Sequence, residues 1–189
     1  MLPIENAKIE KIYSSTLQLV ADFGIHNTPM SSIARHSGVA IGTIYHYFKN
    51  KDALLNSLYL ELKEDLIYAI MRDVKNTGSY KQNFLRLWQN YFDYLIKHPP
   101  ILLFIEQSIN TPIITSETRK SAEKTSFPLI DFFQAGIDTG TLKVQDVPTI
   151  IALVHGSVVS IAKMHISRQM KVRPADKLAI AGYSWKGLT

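Results

Sequence analysis

There is no cysteine among the 189 residues. That one absence excludes a disulfide scaffold, thiolate metal ligands and a thiol redox switch. Long apolar runs are missing as well. The longest uncharged apolar stretch, Val147 to Ala162, is 16 residues and contains His155, short of the ~20 needed to cross a bilayer. The first turns carry Glu5, Lys8, Glu10 and Lys11, which leaves no room for a signal-peptide apolar region. The expected address is therefore the cytoplasm, with no membrane partner. Strand signals are scarce, since alternating β-branched runs and Asn-Gly turns do not occur. Catalytic signals are scarce too. His155 and His165 are ten apart and fall on different helical faces, and there is no Gly-rich phosphate loop or nucleophile elbow. Glu61, Glu64 and Asp65 sit where an exposed helix face would put them. No enzyme, metal or cofactor is expected.

What is present is ordinary in bulk and uneven in detail. Hydrophobic residues make up 46% and charged residues 20% of the chain, as in soluble globular proteins, and the length suits one or two small domains. The net charge of +5 is unevenly spread: residues 1–51 carry +2, residues 52–162 carry −2, and residues 163–189 carry +5. The mildly basic first part suits a reader of specific sites better than a protein held to nucleic acid by phosphate attraction alone.

Residues 25–55, IHNTPMSSIARHSGVAIGTIYHYFKNKDALL, are the most informative stretch. Thr28 is expected to cap a short helix, with Pro29 at its first position. Gly38 ends that helix by supplying a left-handed backbone, and Val39 plugs the gap to the next. In the segment from Ala40 to Phe48, Ile44 and Phe48 are four apart and face the core together. That leaves Ile41, Gly42, Thr43, Tyr45, His46 and Tyr47 wholly or partly outward, a set poorly suited to bare solvent. Against DNA it makes sense. Gly42 permits close approach, Ile41 and Thr43 can meet base edges or a thymine methyl, and Tyr45, His46 and Tyr47 can donate to phosphates or bases. Lys51, opening the next helix, suits a phosphate. This is the pattern of a helix-turn-helix.

The same residues resemble the TetR (tetracycline-repressor-like) family of bacterial transcriptional regulators. The resemblance runs from about Ile9 to Leu58 and is carried by Asp22-Phe23-Gly24, Ile33-Ala34 and Ser37-Gly38-Val39. The string Gly42-Thr43-Ile44-Tyr45-His46-Tyr47-Phe48, followed by Lys49-Asn50-Lys51, completes it. It implies base contacts from Ser31, Ile41, Gly42, Thr43 and His46, and phosphate contacts from Tyr45, Tyr47, Lys51 and Thr28. The chain departs from the family at Ser31, often longer there, at Ala40, commonly serine, and at Phe23, where a charge is usual.

The rest reads as helices: from Asn50 to near Asn76-Thr77-Gly78, about Tyr80–Lys97, Ile101–Ile109, 116–139 interrupted or started near Pro128, Val147 to about Gln169, and Pro174 to about Lys186. The expectation is an all-α protein of about nine helices, with a three-helix DNA-binding domain at 1–49 and a helical effector-binding and dimerisation domain at 50–189. The helix from Val147 is apolar on too many sides for one core. Ile150, Val154, Val158 and Ile161, with Trp185 of the last helix, are expected at a dimer interface. The resemblance implies the same, with pairing through the last two helices. Trp88, Tyr91, Phe92, Phe104, Phe127, Phe132 and Phe133 could line a pocket or fill a core. The resemblance implies a small, often hydrophobic effector between these helices, which Gln107 and His155, together with Glu106 and His165, could orient. The resulting expectation is a homodimeric repressor on a palindromic operator in double-stranded DNA, released by an effector. The alternative is control by a protein partner or by concentration, with no effector.

Overall fold

A computed structural model describes residues 4–74, 78–109 and 111–189, without side-chain detail for residues 4–6 and 109. Ten α-helices and no strand occur among the described residues, so the fold is all-α as expected. They divide into two compact units, one of residues 1–62 and 100–121, the other of residues 63–99 and 122–189.

The first unit holds α1 (Ile4–Phe23), α2 (Met30–Ser37), α3 (Ile41–Tyr47), the start of α4 (Lys51–Met71), nearly all of α6 (Pro99–Ile109) and the start of α7 (Ser116–Thr125). Its core is built from residues that recur on one face of each helix: Ile12 and Leu19, Met30 and Ile33, Val39, Ile44 and Phe48, and Leu54. Gly24 (φ +83°) and Gly38 (φ +68°) end α1 and α2 in the left-handed region. Thr28 corrects the expected cap. Helix α2 starts one residue later, with Pro29 at the cap position and no side-chain cap bond. The Thr28 hydroxyl instead donates back to the Gly24 carbonyl at 3.0 Å, which fastens the turn from inside the core. Helix α4 does have its cap: Asn50 Oδ1 accepts from the Ala53 amide at 2.8 Å.

The second unit holds the rest of α4, α5 (Tyr80–Lys97), α8 (Phe127–Asp138), α9 (Val147–Ile166) and α10 (Pro174–Lys186). A capping box of Ser79 and Gln82 opens α5. Phe84, Leu87, Trp88, Tyr91, Phe92 and Leu95 then form one buried stripe, and α9 and α10 pack against this helix. Asp146 caps α9 by accepting from the Thr149 amide at 2.8 Å. Lys177 of α10 pairs with Asp93 of α5.

Three helix boundaries differ from expectation. The stretch 116–139 is two helices, α7 and α8, with Pro128 in the first turn of α8, where its missing N–H costs nothing. This raises the count from about nine to ten. Helix α6 begins at Pro99, straight after the His98 cap of α5. Helix α9 runs to Ile166, so its 20 residues make it, by length and composition alone, apolar enough to cross a membrane. Ile150, Val154, Val158 and Ala162 of this helix are buried within the protein. The expected helix end near Asn76-Thr77 and the expected stop at Asn110 lie outside the described residues.

Candidate nucleic-acid interface and ligand cavity

Helix α3 buries one of its seven residues, Ile44. Ile41, Gly42, Tyr45 and His46 are exposed and Thr43 is half-buried, which is the outward set read from the sequence. Nothing lies within 4 Å of a Cβ built on Gly42. No internal contact requires a glycine there. Tyr47 is only partly outward. Its ring leans on the core and meets His46 and Phe48 edge-on, at 5.5 and 6.3 Å.

Beside α3 lies a shallow groove lined by Ser31, Ala34, Arg35, Gly38, Val39, Ala40 and Ile41. Arg35 is a residue that the sequence reading left out of the candidate contacts. It is exposed and four residues after Ser31, hence on the same helical face; that spacing could have found it. Lys51 is partly committed. Its ammonium donates to the carbonyls of Ile25 (3.1 Å) and His26 (3.3 Å), tying the α1–α2 turn to the start of α4 and leaving one N–H of three. Thr28 is buried with its hydroxyl spent on Gly24, so its expected phosphate contact is corrected.

The expected ligand residues separate. Gln107 belongs to the first unit. It accepts from the Ile25 amide at 2.9 Å and donates to the Val20 carbonyl at 3.4 Å, a structural clasp on the α1–α2 turn. Phe104 is fully buried in that unit. Trp88 and Phe92 stack in the core of the second unit, their centroids 5.6 Å apart, and the Trp88 indole donates to Ser157 Oγ at 3.1 Å. Phe127 is 55% exposed. None of these five lines the cavity that holds Tyr91 and His155. Tyr91 and His155 line a partly open cavity of about 90 Å³ in the second unit. Its apolar wall is Leu66, Ile67, Ile70, Leu87, Leu129, Phe133, Ile151 and Val154, and its polar members are Lys63, Tyr91, Ser126 and His155. The Tyr91 hydroxyl and His155 Nδ1 are 2.6 Å apart. Burial holds the Tyr91 phenol well above its ordinary pKa, so it stays neutral. Burial also pushes the Lys63 ammonium below the usual lysine range. The sequence reading passed over Lys63 because one lysine on a long helix looks like solvent-facing charge.

Comparison with known proteins turns on the same divisions of the chain. The profile of bacterial regulatory proteins of the tetR family matches residues 12–58, and that of the tetracyclin repressor-like C-terminal domain matches residues 59–185. The chain belongs to the TetR family. Its fold is all-α throughout the described residues. It is 32% identical over 103 residues to an uncharacterized HTH-type transcriptional regulator of Haemophilus influenzae, covering 54% of this chain and 55% of that one. It is 34% identical over 88 residues to the fatty acid metabolism regulator protein of Bacillus subtilis, covering 47% and 45%. The chain thus spans about half the length of the relatives it matches. A TetR family regulator from Marinobacter aquaeolei shares its fold, with a TM-score of 0.90 at 17% identity over 97% of this chain and 96% of the other. So does FadR from Bacillus subtilis in complex with stearoyl-CoA, with a TM-score of 0.72 at 22% identity over 94% and 95%.

The last two helices of this TetR-family chain correct the expected dimer residues. Ile150, Val154 and Val158 are inside their own unit, with Val158 wholly buried. Trp185 is half-buried against Phe84 and Tyr80, at 5.2 and 6.0 Å between ring centroids, and Ile161 is half-buried. The reason is phase. Ile150, Val154, Val158 and Ala162 share one stripe that packs on the neighbouring helices of the unit, so the outward stripe is the other one: Ala152, Leu153, Gly156, Ser160 and Met164. Leu153 is 51% exposed and Tyr183 of α10 is 70% exposed, with Leu178 beside it in the sequence of outward α10 residues. A Cβ on Gly156 or Gly182 would meet open space.

Proposed function

We propose that this regulator is a cytoplasmic homodimeric repressor that binds a palindromic operator and is released by a small, partly hydrophobic effector. The division of labour is that read from the sequence, residues 1–49 for DNA and residues 50–189 for effector and dimer. The observation that carries the proposal is the unpacked face of α3, in which Ile41, Gly42, Tyr45 and His46 are outward and no internal contact accounts for Gly42. Ser31, Thr43 and Arg35 extend the base-reading surface; Tyr45, Tyr47 and Lys51 stand at phosphates. Dimerisation uses the outward stripe of α9 with Leu178 and Tyr183 of α10. Two copies then present two recognition helices to successive turns of the duplex.

The effector enters the cavity of Lys63, Tyr91 and His155. Neighbours of the same fold provide a precedent for a bound ligand, FadR with its stearoyl-CoA. Control without any effector expects a filled core, and the cavity speaks against it. Helix α4 is continuous from Lys51, at the DNA-binding unit, to Lys63 and Ile70 in the cavity wall, so a ligand that displaces its second half shifts the first. Near-complete release requires a preference of ~5.5 kcal/mol for the released form. The test is selection of the full chain against random duplex DNA. A two-fold symmetric motif is the expected result; enrichment of single, unpaired half-sites, or of nothing, overturns the dimeric operator reading.

A further inference from the structure

The reading of the cavity as an effector site leaves the chemistry of the effector open, and its wall narrows that chemistry. Eight of its twelve residues are apolar, one is a cation, and none is a carboxylate. The Tyr91 hydroxyl and His155 Nδ1 are 2.6 Å apart, and Tyr91 remains a neutral phenol, so Tyr91 supplies no counter-charge. No hydrogen bond or ion pair joins Lys63 to any described residue. Desolvation alone lowers its pKa, with no nearby charge contributing. An ammonium drawn into an apolar wall without a partner is costly, and a leucine or methionine would line the same wall without that cost.

We infer that the cavity takes a compact hydrocarbon monocarboxylate, its carboxylate on the Lys63 ammonium and its hydrocarbon against Leu66, Ile70, Leu129 and Phe133. The anion relieves the unpaired lysine, and the tail replaces nothing polar. Size sets the upper limit. The volume of about 90 Å³, open on one side, is below the ~150 Å³ of an engineered cavity that holds benzene. A short-chain acid fits within this space and a single-ring acid reaches out through its open side, whereas a long acyl chain is not contained by it. The bland account of Lys63 is that its stem covers apolar surface while its head reaches water. On that account the site is indifferent to the charge of its ligand.

The inference rests on the cavity being a ligand site at all, and titration calorimetry on the full chain separates the two claims. The probes are butanoate, hexanoate and benzoate, with 1-hexanol, toluene and hexylamine as neutral and cationic counterparts. The acids are expected to bind at least about tenfold more tightly than hexanol, in keeping with a charge-assisted hydrogen bond, and hexylamine not at all. Lys63→Met, which nearly conserves volume, should abolish the preference for acids while leaving hexanol and toluene unchanged; Lys63→Gln gives the same comparison with a polar head. Equal affinity for acid and alcohol in the unmodified protein, or an acid preference that survives both substitutions, overturns the carboxylate inference and leaves the cavity standing. Failure of every probe, toluene included, overturns the cavity as a ligand site and the inference with it. The relative response to hexanoate and benzoate tells a chain acid from a ring acid.

Discussion

Helices α3 and α9 carry their apolar residues in opposite ways. In α3 a single residue, Ile44, is buried, and the apolar and aromatic side chains left over point outward. In α9 six residues are buried, and a second apolar stripe through Leu153 and Met164 is left exposed on the far side. A short helix with one anchor has one way to sit, so its outward set follows from the anchor. A long helix that is apolar all round has several, and its phase is set by neighbours that contribute from elsewhere in the chain. The excess of apolar residues on α9 was legible in the sequence as a property of the helix, while the stripe expected to face outward is the one the unit buries.

The comparison is sharpest at residues 153 and 158. Val158→Asp should bury an unpaired carboxylate and destabilise the fold by on the order of several kcal/mol, seen as a large loss in the urea midpoint. Leu153→Asp, five residues away but outward, should leave helicity and urea midpoint nearly unchanged while shifting sedimentation from dimer to monomer. If the two substitutions exchange these outcomes, the phase of α9 is misassigned.

A pair of helical glycines gives the next largest contrast. A Cβ on Gly136 of α8 would run into the Tyr80 hydroxyl and Leu142, where Tyr80 donates to the Phe132 carbonyl at 2.9 Å and stacks on the Phe132 ring. Gly136→Ala should cost ~1–3 kcal/mol of stability through overpacking. Gly42→Ala meets open space and should stabilise α3 by up to ~1 kcal/mol, yet weaken operator binding in a fluorescence anisotropy titration. A Gly42→Ala protein that binds DNA normally would remove the argument for close approach.

Smaller effects test the division within the DNA face. Lys51→Ala should weaken binding to all duplexes alike and reduce the salt slope by about one; an unchanged slope would mean that its ammonium acts only as the clasp on Ile25 and His26. Thr43→Ala should leave total affinity within ~1–2 kcal/mol but change the preferred base at about one or two positions per half-site. An identical selected motif would take Thr43 out of base readout.

Much of the first unit was legible because its signals are local. The Gly38 turn, the Val39 plug and the Ile44–Phe48 spacing need only neighbours in sequence, and the helix-turn-helix follows from them. The errors there were of commitment rather than of position. Thr28 has a capping side chain, but its hydroxyl turns back to Gly24 once the helix starts at Met30. Arg35 was read as the leftover face of α2, although its i+4 relation to Ser31 puts it in the groove. In the second unit the stripe along α5 was visible as an aromatic-rich segment. Its division into core and cavity was not, because Trp88 and Tyr91 both bond to side chains of α9, Ser157 and His155, and only the space left beside Tyr91 tells them apart.

The sequence by itself determined that this chain is all-α, that it has a helix-turn-helix near its amino terminus, and which face of α3 is outward, since each depends on periodicity, caps and turns within a few residues. The tertiary structure decided which apolar stripe of α9 is core, that Gln107 is a clasp on the α1–α2 turn, and that Lys63 lines a cavity with Tyr91 and His155. Those are contacts between residues tens of positions apart, such as the 82 between Ile25 and Gln107 or the 64 between Tyr91 and His155. Side chains of equal hydropathy compete for such contacts, and only packing in three dimensions chooses among them.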